Sequence, residues 1–118
     1  MKHGKFIQII TTSGSRKTLE KIAEVLVEER LAACVQITGK ARSIYRWKGN
    51  AEHAEEYRCL IKTRKELFDS VEKVIKKLHN YETPEIIAVD ICACGKDYAA
   101  WLDQELKHQT PKVPEAAE

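Results

Sequence analysis

Residues 31–47, "LAACVQITGKARSIYRW", constrain this chain more than any other stretch. β-branched and aromatic residues recur along it and proline is absent, so it reads as one long extended segment. Thr38-Gly39 predicts a bulge or bend within it. Tyr57–Thr63, "YRCLIKT", returns antiparallel, with Tyr57, Cys59 and Ile61 on one face and Arg58 and Lys62 on the other. Lys48–Glu56 reads as the turn between them, and Gly49-Asn50 is a typical turn pair. From Ala33 to Trp47 the extended segment spans on the order of 50 Å at about 3.3 Å per residue. The helical pattern that follows, Arg64–Leu78, spans about 22 Å at 1.5 Å per residue. The hairpin therefore overhangs its own domain. A long unpaired hairpin is marginal and presents open edges, and Ile44, Tyr45 and Trp47 near its tip are costly to leave in water. The expectation is a homo-oligomer built through this hairpin and closed by symmetry. Length alone leaves dimer and trimer open.

The rest of the chain supplies a partner for each strand. "KFIQIITTS" (Lys5–Ser13) reads as a strand. Leu19, Ile22, Ala23, Leu26 and Val27 then recur at helical spacing, predicting an amphipathic helix over Ser15–Glu29 with Ser13 or Ser15 as its cap. Thr63-Arg64-Lys65-Glu66 has the form of a capping box. The helix after it carries Leu67, Phe68, Val71, Ile75 and Leu78 on one face and ends near His79-Asn80, before Pro84. "IIAVDICA" (Ile86–Ala93) is a fourth strand, and Asp97 is placed to cap a last helix bearing Tyr98, Trp101, Leu102 and Leu106. The order is β-α-β-β-α-β plus a helix, an α+β ferredoxin-like plan with both main helices on one face of a four-stranded sheet. Residues 1–108 form one domain, and 109–118, with two prolines and little apolar content, read as a disordered tail.

Composition removes several function classes. Twenty basic and 18 acidic residues leave a formal charge of +2, spread along the chain, so no basic stripe marks a nucleic-acid binder. No stretch approaches the roughly 20 apolar residues of a membrane span, and the apolar run at the start is too short for a secretory signal. The expected location is cytoplasmic. Cys34, Cys59 and Cys92 fall in apolar strand-like runs, where a free thiol acts as a small hydrophobe, and a disulfide framework is not expected. No Ser-His-Asp order, glycine-rich phosphate loop or paired-carboxylate motif is present, so nothing points to an enzyme.

Four groups of residues invite chemistry. His79, Glu82 and Glu85 cluster around Pro84 in "LHNYETPEII"; they could hold a divalent cation, or His79 could simply close a helix C-terminus, and the ligand count favours the cap. Cys92 and Cys94 share one side of a strand, but their spacing is not that of zinc or thioredoxin-type motifs. Arg42, Arg46 and Lys48 with Tyr45 and Trp47 could meet nucleic acid, yet the same residue types suit a subunit interface. Lys62 could hold an anion, pair with Glu85, or face solvent.

"LVEERLAACVQI", "SIYRWKG", "LIKTR", "LHNYETPEII" and "DYAAWL" occur in the order and spacing of the CutA family of divalent-cation tolerance proteins, which the chain resembles from about Phe6 to Leu106. The resemblance implies a ferredoxin-like subunit in a homotrimer, with long hairpin strands pairing between subunits. It implies tolerance of divalent cations, copper especially, with His79 and Glu85 as the matching metal-site positions and Cu2+ or another divalent cation weakly bound. The strand-end cysteine of some members falls on Ile10 or Thr11 here. It also implies an intersubunit cleft lined by Trp47, Lys62, Tyr81 and Glu85. The competing expectations are a trimeric signalling module that takes a small anion in that cleft, similar in build to PII-type regulators, and a scaffold trimer with no ligand.

Overall fold

The structure, a computed structural model, describes residues 5–108. The expected tail, 109–118, lies outside the described residues. The elements in chain order are β1 (Phe6–Ser13), α1 (Arg16–Glu28), β2 (Cys34–Trp47), β3 (Asn50–Arg64), α2 (Phe68–Leu78), β4 (Ile87–Ile91) and α3 (Lys96–Glu105). The strands form one antiparallel sheet in the order β2-β3-β1-β4. This is the expected ferredoxin-like plan with an added helix.

Alternation divides the sheet into two faces. Ile7, Ile9, Thr11 and Ser13 of β1 are buried on one face beside Cys59, Ile61 and Thr63 of β3. Leu19, Ile22 and Leu26 of α1 and Val71 and Ile75 of α2 complete that core, each fully buried. Burial pushes the Cys59 thiol up to about 12, so it packs as an inert hydrophobe. Ser15 caps α1, its Oγ accepting from the Thr18 amide at 3.2 Å.

The other face carries Phe6, Gln8, Ile10 and Thr12, and α3 covers only its Phe6 end. Arg64, 4% exposed, is the clamp there. Its guanidinium donates to Asp103 Oδ1 at 2.9 Å and to the Lys107 carbonyl at 2.9 Å. Lys5 binds the other carboxylate oxygen of Asp103 at 2.8 Å. Leu102 and Leu106 supply the buried side of α3, while Tyr98 and Trp101 remain exposed.

Several boundaries differ from the sequence reading. The nine-residue turn expected at Lys48–Glu56 is a two-residue turn at Lys48-Gly49, and Asn50–Glu56 is already β3. Lys48 and Gly49 have φ of 51° and 85°, the geometry whose twist matches a β-hairpin. "AEHAEE" has weak strand propensity, and pairing with β2 overrides it. The capping box is absent: β3 runs through Arg64, Thr63 Oγ1 donates to the Leu31 carbonyl at 2.6 Å, and a 3-10 turn over Lys65–Leu67 opens the helix without a side-chain cap. β4 is shorter than expected, and Cys92, beyond its end, is exposed rather than packed. α3 is capped by Gly95, with Asp97 in its first turn, where its charge suits the helix dipole.

The bulge at Thr38-Gly39 is present and has a geometric effect. Below it Thr38 pairs with Arg58; above it Ala41 pairs with Glu56, so β2 carries one extra residue. Below the bulge, Cys34, Gln36 and Thr38 lie opposite Lys62, Leu60 and Arg58. Above it, Ser43, Tyr45 and Trp47 take over that face, opposite Ala54, Glu52 and Asn50. The upper hairpin projects from the body. The radius of gyration is 15.8 Å, against about 13.5 Å for a compact chain of this length.

Candidate functional site

The loop after α2 is tied to the end of β1 rather than left free. His79, the C-cap of α2, sends its ring to the Thr12 carbonyl, with Nε2 at 2.8 Å. A carbonyl only accepts, so Nε2 carries the hydrogen. Nδ1 accepts from the Tyr81 amide at 3.0 Å. The two bonds fix a neutral imidazole, and partial burial lowers its pKa, opposed by the Thr12 bond and the nearby Glu56 charge. Ser13 Oγ donates to Asn80 Oδ1 at 2.7 Å. Tyr81 Oη accepts from the Gly14 amide at 2.9 Å and donates to Glu56 Oε2 at 2.7 Å. Burial, together with the Glu56 acceptor, raises the Tyr81 pKa, so the phenol stays protonated and donating.

Between this loop and the projecting hairpin lies a groove of about 710 Å³. Tyr45, Trp47 and Ile44 of β2 form one wall, and Tyr81 to Glu85 form the other. Thr12 and Glu56 form its floor. Glu56 is 7% exposed. Thr12 Oγ1 makes a long contact to Glu85 Oε1, 3.4 Å. No lysine, arginine or histidine is among the described residues lining the groove. A second hollow of about 580 Å³ lies under α3, where Lys5 and Asp103 already pair with each other.

Of the residues singled out from sequence, Trp47, Tyr81 and Glu85 come together in the groove. His79 lies beneath it, joined to the same Thr12 that meets Glu85. Lys62 is elsewhere: it binds Gln36 Oε1 and does not pair with Glu85. Arg42, Arg46 and Lys48 face local partners, namely His53, the Gly49 carbonyl and the Trp47 ring. Glu56 and Thr12 are groove residues that sequence reasoning missed, and Tyr45, singled out there as an interface residue, also lines the groove. The expected bulge was the available signal: one extra residue brings Tyr45 and Glu56 to the same face once the hairpin is continued to Asn50.

A divalent metal finds few ready donors here. Both ring nitrogens of His79 are engaged. Among the described residues, no group of three or more His, Cys, Asp or Glu side chains is arranged to hold an ion. A tight metal site needs three or four protein ligands, so the donor set of one protomer does not fit one.

The comparisons with known proteins agree with the architecture. The profile of the family described as CutA1 divalent ion tolerance protein matches residues 7–105. The divalent-cation tolerance protein CutA of Thermus thermophilus is 40% identical over 94 residues, covering 80% of this chain and 91% of that protein. Its namesake from Pyrococcus horikoshii is 36% identical over 101 residues, covering 86% and 98%. The crystal structure of CutA1 from Shewanella sp. SIB1 superposes with a TM-score of 0.86 at 32% identity, covering 91% of this chain and all of that one (100%). That of the Thermus thermophilus protein gives 0.83 at 37% identity, covering 86% and 99%. With the family profile spanning nearly the whole described fold, this chain belongs to the CutA1 family of divalent ion tolerance proteins.

Proposed function

We propose that the chain serves divalent-cation tolerance as a closed homotrimer, with the groove beside Tyr81 as its ligand site. The observation that carries this is the pair of unfinished sheet edges. β2 and β4 are the outer strands. Ile44, Tyr45 and Trp47 on one and Ile87 and Val89 on the other are exposed, each between 40% and 66%. Two different edges favour head-to-tail pairing, which ends in a ring when the rotation closes. The family resemblance supports three subunits.

Copper(II) or another divalent cation binds weakly on this reading. Glu82 and Glu85 are exposed carboxylates, and His79 can join them only by giving up its bond to Thr12 or to Tyr81. The groove's carboxylates count against a small anion as the ligand.

Two measurements test the proposal. Light scattering should give three times the chain mass, and a single-chain mass at micromolar concentration would overturn the trimer. Calorimetric titration of copper(II) should show weak heat that is reduced in His79→Ala. Tight binding unaffected by that substitution would place the cation elsewhere.

A further inference from the structure

We infer that the groove takes an organic cation, an alkylammonium or guanidinium group, and that Glu56 is its counter-ion; this rests on the groove being the ligand site. The first observation is a charge left without an opposite. Glu56 is 7% exposed, and its carboxylate accepts from the Tyr81 hydroxyl. Among the described residues no lysine, arginine or histidine forms an ion pair with it. The nearest titratable base, His79, is held neutral by its two hydrogen bonds. A buried carboxylate with one neutral donor is costly, and a cation in the groove offsets that cost.

The second observation is the wall. Tyr45, Trp47 and Tyr81 line the groove with Glu56, and Glu82 and Glu85 stand at its far side. Aromatic faces beside carboxylates are the surroundings that hold a weakly hydrated, carbon-bearing cation. They suit a bare metal ion poorly, because a ring supplies no lone pair and the carboxylates are not grouped for coordination. Lys48 Nζ stands 5.7 Å from the Trp47 ring centroid at the hairpin tip. The volume, about 710 Å³, falls within the ordinary range for small-molecule sites. The cation can be a free molecule or a lysine or arginine side chain of a neighbouring copy; the chemistry is the same.

Trp47 emission reports occupancy once the other tryptophan is removed, in a Trp101→Phe background. Tetramethylammonium and methylguanidinium chlorides should change it saturably, with sodium chloride as the ionic-strength control. Glu56→Gln should weaken that response by about tenfold or more. Circular dichroism checks that the variant folds, and Glu85→Gln, at an exposed position, should weaken it less. A response only in Val89→Asp, which dissociates the β4 edge, identifies the neighbouring copy as the source and keeps the assignment. Silence in both the assembled and dissociated forms, or a response unchanged in Glu56→Gln, overturns it. A response to copper(II) chloride with both organic cations silent overturns the ligand class and leaves the proposed function standing. A single-chain mass does the reverse, since the groove exists within one protomer.

Discussion

From Tyr57 to Arg64, β3 lies between β1 and β2, and Cys59, Ile61 and Thr63 are sealed beneath the helices. From Asn50 to Glu55 the same strand pairs with β2 alone, and every residue but the half-buried Ala54 is exposed. The hydrogen-bond ladder is interrupted only at the bulge, so backbone pairing is nearly equal in the two halves. Burial is not. A ladder gives direction and register, but the net worth of each bond is small beside the apolar area removed from water. The lower half is finished within one protomer, and the upper half leaves Ile44, Tyr45 and Trp47 exposed.

The sharpest way to separate the halves is to delete apolar atoms from each. Ile61→Ala should cost about 2–5 kcal/mol in urea unfolding at fixed protein concentration. A loss under 1 kcal/mol would mean that the lower half is less well packed than its burial says. Next comes the junction of the two halves. Tyr81→Phe removes the donor to Glu56 and should cost about 1–3 kcal/mol, because a buried acceptor is left alone. No change in thermal midpoint would show that water replaces the phenol without loss. At the tip, Gly49→Ala should cost about 1 kcal/mol, since φ there is +85° with open space around the Cα. A neutral result would show that the hairpin tip does not depend on that turn.

The pH response is a gentler probe of the same junction. His79 has a lowered pKa in the folded state, so the unfolded chain binds its proton more readily. Its contribution is fully present above about 6.5 and is lost as pH falls from there through the folded value. A plot of stability against pH should therefore slope downward on the acid side, and His79→Gln should flatten it. Asp103 moves the same way at lower pH: Lys5 and Arg64 depress its pKa, and that contribution fades as pH drops below the usual carboxylate range. The smallest effect on folding belongs to the overhang. Ile44→Ser should change protomer stability by under about 0.5 kcal/mol while reducing the assembled mass. If it unfolds the chain instead, the upper half belongs to the protomer's own core and the contrast fails.

Much of this was legible in the residues. The strand and helix order, a serine cap at Ser13 or Ser15, the bulge and the overhang all follow from local pattern, because period, capping chemistry and length are local properties; the structure assigns the cap to Ser15. The turn was not, since "AEHAEE" looks like a loop until β2 is laid beside it. Thr63 looked like a cap because its competing acceptor, the Leu31 carbonyl, lies far away in sequence. The groove was half legible. Family resemblance named Trp47, Tyr81 and Glu85, which share the groove of one protomer; Lys62, named with them, lies outside that groove, and Glu56 was overlooked. The burial of Glu56 and its bond to Tyr81 are tertiary facts that no spacing rule encodes.

The extra residue in β2 has a hereditary consequence. Deleting one codon at Gly39 or Lys40 would leave a single residue opposite Tyr57 and keep Ala41 opposite Glu56 and Tyr45 opposite Glu52. The bulge would close, the upper strand would keep its face, and only the local bend and added twist would be lost. A lineage can thus shorten β2 by one residue without exchanging the side chains of its groove; what changes is the direction in which the hairpin leaves the body.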